Sequence, residues 1–248
     1  MPNNAGNHIV AALVLAGAAT TASAEQAIRF KGTAESLDSG DTVYTEHHRQ
    51  TGECRDGLWR PLEHEVTYRD PEGETIAEKT IDYGDAPARP GFTLEDRRFG
   101  ERIEVRNPED SEVRIRYRAS NGDESSYRIK APDNGVIDAG FEVMVRQNWD
   151  ALVEDGETVG IEFLAPTRGK FYAFQAEPAE MEALEGEHVF RISVASWASS
   201  WFVDPIHLAY NDQRRLTDFY GLTNILRTPE DNHRAHIRYE YDSTPACR

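Results

Sequence analysis

The side chains best suited to chemistry lie in two short runs, Glu46-His47-His48 and Glu63-His64-Glu65. Histidine and carboxylate together can hold a divalent metal or pass a proton. Both runs sit in stretches that alternate like β-strand, and the Gly-flanked turn Thr51 to Gly57 (TGECRDG) lies between them. With that turn centred near Cys54 and Arg55, the runs face each other across an antiparallel ladder. Alternation lets only about half of these residues share a face. His47, His48 and His64 are therefore the candidate metal-ligating or acid-base group, and a charged, register-setting strand edge is the ordinary alternative.

Other histidines are weaker candidates. Asp204 and His207 bracket Pro205 but have no assignable nucleophile, so a structural histidine is the expectation there. His233 and His236 are three apart, a spacing that does not share one strand face, and they read as loop residues. The G-x-S-x-G elbow, H-E-x-x-H, the P-loop and G-x-G-x-x-G after a strand are all missing. No catalytic residue is assigned and no cofactor is expected.

The elements that must position these groups are mainly strands. Thr42 to Gln50, Leu58 to Arg69 and Thr75 to Tyr83 read as a meander, with Leu62, His64, Val66 and Tyr68 on one face. Asn121-Gly122 marks a hairpin between Glu112–Ala119 and Ser125–Ile129. One segment breaks the pattern. In Asp138 to Glu154, Phe141, Met144, Val145, Trp149 and Leu152 fall on one helical face, with Asp138 placed to cap the start and Gly156 just past the end. Strands, one helix, then strands predict a mainly β chain: a single curved antiparallel sheet or half-open barrel with one amphipathic helix packed in its hollow. Trp149, Phe141 and Met144, with Trp197, Trp201 and Phe202, are the candidate lining of an apolar cavity between helix and sheet, and an ordinary aromatic core is the alternative.

Composition supplies an address. Ile9 to Ala19 is an apolar run too short to span a bilayer, and Ala22-Ser23-Ala24 is a cleavage-type site. Residues 1–24 read as a signal peptide and residues 25–248 as a single β-rich domain, periplasmic or secreted, with no transmembrane segment in the mature chain. The net charge of −17 argues against nucleic acid and anionic membranes as partners. The two cysteines, Cys54 and Cys247, are expected to pair in an oxidising compartment. The loop that such a bridge closes would contribute about 5 kcal/mol in the chain-entropy model.

The C-terminal third, with the turn Asn211-Asp212-Gln213, then RRLTDFYGLTNI and a last hairpin through HRAHIRYEY, resembles the end of bacterial periplasmic proteins of unknown function. Those proteins are similar in architecture to the lipoprotein-carrier (Lol) half-barrels. The resemblance implies a half-open barrel that holds acyl chains, and it transfers no functional residue. The leading expectation is an exported, non-enzymatic binding protein for a hydrophobic small molecule or an envelope component. One alternative is a metal-dependent or acid-base hydrolase using His47, His48 and His64. The other is a structural envelope protein that presents an edge strand to a partner protein.

Overall fold

The computed structural model describes residues 26–107, 111–195, 204–245 and 247. Residues 1–24, and Trp197, Trp201 and Phe202 of the proposed cavity, lie outside the described residues.

The described strands run in chain order. They are β1 (Gln26–Ser36), β2 (Thr42–Arg55), β3 (Leu58–Arg69), β4 (Thr75–Asp82), β5 (Gly91–Asp96), β6 (Glu101–Arg106), β7 (Glu112–Arg118) and β8 (Glu124–Lys130). After them come β9 (Gly135–Val136) and helix α1 (Gly140–Gln147), then β10 (Val159–Ala165), β11 (Lys170–Ala179), β12 (His188–Val194), β13 (Ile206–Tyr210), β14 (Leu216–Leu226) and β15 (Asn232–Tyr241). All fifteen form one open, curved sheet. Its order is β8-β7-β6-β5-β4-β3-β2-β1-β15-β14-β13-β12-β11-β10-β9. Two meanders are thus joined by the pairing of β1 with β15, and β8 and β9 are the two ends. The expectation of a purely antiparallel sheet is corrected at one place, because the short β9 pairs parallel with β10.

The strands form for the reason that alternation suggests. In β3, His64, Val66 and Tyr68 are buried while Glu63 and Glu65 are exposed. The inner faces of β3 to β7 supply one apolar cluster, and β10 to β14 supply a second. Helix α1 lies between them. Val143 joins the first cluster, and Phe141, Met144, Val145, Trp149 and Leu152 join the second.

The helix itself is shorter than its apolar period predicts. Asp138 does not cap it. Its backbone is left-handed (φ 45°), its carboxylate pairs with the buried Lys79 ammonium, and Asn224 donates to it. The α-helix therefore starts after Ala139, and a π-helical turn (Asp150–Glu154) follows it. Gly140 is required at the entry, because a Cβ there would fall 2.2 Å from the Ala88 carbonyl oxygen.

The two ends of the sheet approach without pairing. A Cβ on Gly169, in the β10–β11 turn, would fall 2.2 Å from the Tyr127 ring of β8. Beside that contact an opening of about 440 Å³ lies between the ends, lined by Ile129, Lys130, Glu162 and Lys170 among others. Among the described residues no helix is long and apolar enough to cross a membrane.

Candidate functional site: a buried histidine relay

The β2–β3 hairpin turns at Asp56-Gly57, both left-handed (φ 52° and 80°), and not at Cys54 and Arg55. Two successive positive φ values suit the twist of a two-residue hairpin. The consequence is register. Gln50 lies opposite His64, and His48 opposite Val66, with a bulge between Thr51 and Gly52. Glu46, His48 and Gln50 then share the inner face at i, i+2 and i+4, and His64 reaches in among them.

These side chains form a directional chain. His48 Nε2 lies 2.9 Å from Glu46 Oε2, and His48 Nδ1 lies 2.9 Å from His64 Nε2. Gln50 Nε2 is 3.5 Å from His64 Nδ1, and Trp59 Nε1 donates to Gln50 Oε1 at 2.6 Å. One assignment of hydrogens satisfies every group. Trp59 donates to Gln50, Gln50 to His64, His64 to His48, and His48 to the Glu46 carboxylate. Tyr239 Oη gives Glu46 a second donor at 3.1 Å. The aromatic walls hold the rings in place. Phe30 stacks on His48 with centroids 4.1 Å apart, and Tyr241 stacks on Phe30 at 4.8 Å.

Burial holds the His64 imidazole well below its ordinary pKa, and the Lys79 ammonium adds to that push. Both histidines are neutral in the assignment above, so the relay can move a proton along its length but has no spare nitrogen for a ligand. The pH consequence follows from the sign. Below about pH 6.5 the unfolded chain takes up a proton that folded His64 refuses. Stability contributed by neutral His64 is complete above that pH and is lost as the pH falls. Burial shifts His47, His207 and His233 the same way. The melting temperature should therefore drop between pH 7 and 5, and His64→Gln should flatten the slope in part. An unchanged slope in that variant would remove His64 as the main cause.

The sequence-derived group is only partly brought together. His48 and His64 meet, but His47 lies on the outer face beside Thr45 Oγ1 at 3.2 Å. Among the described residues no three His, Cys, Asp or Glu side chains are placed to hold a metal ion. The residues missed by sequence reasoning are Gln50, Trp59, Tyr239 and Phe30. The dipeptide Asp56-Gly57 is the signal that would have set the register and found Gln50.

The other candidates resolve individually. Asp204 pairs with Arg234 at 3.0 Å and not with His207, whose ring lies against Tyr220. His233 and His236 are corrected from loop to strand β15, and buried His236 binds Asp218 at 2.8 Å. Cys54 and Cys247 form a disulfide. The helix face is in the core, with Trp149 6% exposed and Leu152 fully buried.

One open groove adjoins the relay. It measures about 770 Å³ and lies along β3 to β6 beside the loop 84–91, with His64 and Tyr83 in its lining. Glu63, Glu65, Asp82, Asp85 and Glu104 line it, against Arg89 and Arg106. Arg106 pairs with Glu104 at 2.5 Å, and Arg89 donates to the carbonyls of Pro132 and Asp133.

Together these features define a mainly β protein built on one large open curved sheet, with a buried polar relay and an adjoining groove. No family model matches the chain, and no curated protein matches it. Among solved structures, it is similar at low level to a beta-barrel-like protein of a domain of unknown function (DUF1849) from Brucella abortus. That protein is 12% identical, with 88% of this chain and 94% of that chain covered and a TM-score of 0.37. The strand order by itself defines the fold.

Proposed function

We propose that the chain is an exported, non-catalytic binding protein whose mature part, residues 25–248, is a single domain. Its ligand is small and polar, and is taken in the groove beside the loop 84–91. The observation that carries this reading is the groove itself, which has the volume of a small-molecule site and five carboxylates against two guanidinium groups. That balance favours a cationic ligand over the acyl chain that the Lol-like resemblance implies. The aromatic helix face supports the same choice, because its described side chains are packed in the core.

Titration of the purified mature protein with spermidine, followed by calorimetry, tests this. Saturable binding is expected, weakened at least tenfold by Glu63→Gln combined with Asp82→Asn. Absence of binding, or native mass spectrometry showing a co-purified acyl lipid, would count against the polar ligand.

A second reading, acid-base hydrolysis, is favoured by the Glu46–His48–His64 relay. It requires the 3.5 Å Gln50–His64 hydrogen bond to open, so that His64 Nδ1 can exchange a proton with a substrate in the groove. Ester hydrolysis by the wild type that His64→Gln abolishes, with the fold retained, would favour this reading over simple binding.

A further inference from the structure

The chain carries a net charge of −17, yet one face of its sheet is basic. The outward positions of β6, β7 and β8 hold seven basic side chains and three carboxylates, Glu104, Glu112 and Glu124. Arg106, Arg114 and Arg128 stand directly opposite one another across the three strands. Four residues along, beyond the opposite-charge pair Glu104 and Arg116, Arg102 stands opposite Arg118. Like charges placed directly opposite destabilise a strand pair, so folding alone does not account for the row. The glutamates offset it only in part. Glu112 lies 2.8 Å from Arg114 and 3.6 Å from Arg128, and Glu104 is shared by Arg106 and Arg116. The guanidinium groups remain open to solvent, with side-chain exposures of 73% for Arg106, 53% for Arg114 and 69% for Arg128. The strand at the margin of this face, β8, is an end of the sheet.

We infer that this face docks on an anionic phospholipid surface. Guanidinium groups bind phosphate in a two-toothed fashion, and three adjacent strands present them over about 10 Å in one layer, which suits a plane of phosphates. The acidic remainder of the chain is repelled by such a surface. Screening limits that repulsion to about a Debye length, so attraction at short range selects this one face and orients the protein on the membrane. The whole-chain charge, which argues against anionic membranes, averages over this separation and conceals it.

The test is co-sedimentation of the mature protein with phosphatidylcholine vesicles, with and without 30 mol% phosphatidylglycerol (roughly the anionic fraction at which surface attraction is strong), at low and high salt. Binding is expected only with phosphatidylglycerol, and should fall steeply with salt. The variant Arg106→Ser, Arg114→Ser, Arg128→Ser should bind at least tenfold more weakly and melt no lower than wild type, since it relieves a like-charge row. Binding equal on both vesicles, binding unchanged in the triple variant, or no binding at low salt would each overturn the inference. So would retention on inorganic polyphosphate without vesicle binding, which would make the partner a soluble polyanion. A triple variant that melts well below wild type would show the arginines to be structural.

Discussion

Replacing Trp149 by Ala is expected to destabilise the protein by about 3–5 kcal/mol, the usual range for a buried tryptophan. The indole sits edge-on to His188 at 5.0 Å, Phe190 at 6.2 Å and Tyr210 at 6.1 Å, and the Arg214 guanidinium lies over its ring at 5.2 Å. Truncation removes these contacts and leaves a cavity between the helix and β12–β13. For a chain of this size the melting temperature should fall by roughly 10 °C. Chemical denaturation with an unchanged m-value would confirm that stability, and not the cooperativity of unfolding, had changed. The result also separates core from binding site. A tryptophan that lined an empty ligand cavity would be removed at little cost to the free protein. A loss under about 1 kcal/mol would therefore restore the apolar-cavity reading of this face.

Loss of the Cys54–Cys247 disulfide is expected to lower stability by about 2–5 kcal/mol, again on the order of 10 °C in melting temperature. The bridge joins residues 193 apart, with Cα atoms 5.9 Å from each other. In the chain-entropy account, a loop of that length restricts the unfolded chain strongly. The folded chain also depends on it locally. Cys54 and Cys247 pack with Ile28, Phe30, Trp59, Tyr239 and Tyr241, which enclose one end of the relay. Arg215 Nη2 donates to the Cys247 carbonyl at 2.9 Å, so the tail also covers a buried cation. Thermal melts of the wild type with and without reductant, beside Cys54→Ser with Cys247→Ser, make the comparison. Reductant should shift only the wild type, and bring it to the melting point of the double variant. A wild type insensitive to complete reduction would show that the tail is held by packing alone.

Much of the strand pattern was legible in the residues. Alternation placed Tyr44 and Glu46 on one face of β2, and His64, Val66 and Tyr68 on one face of β3, as they are found. Asn121-Gly122 located the β7–β8 hairpin for the same local reason. Errors arose where local rules compete. Asp138 is a good cap by type, but the buried Lys79 claims its carboxylate and shortens the helix. A glycine inside a strand is a local break that tertiary pairing overrides in the single strand β14, where Gly221 lies at φ 149° against Ile206.

Local chemistry, acting over a few residues, decided the strand faces, the helix period and the pairing partner of each cysteine, since only two exist. The relay depended on more. Shifting the hairpin turn from Cys54-Arg55 to Asp56-Gly57 moves His64 to a position opposite Gln50, and a slip of one residue would have turned it outward. Tyr239 comes to Glu46 across 193 residues only because β15 pairs with β1. The groove and the arginine row have the same origin. Each is assembled from several strands whose order is set by long-range pairing and burial, and no run of neighbouring residues encodes that order.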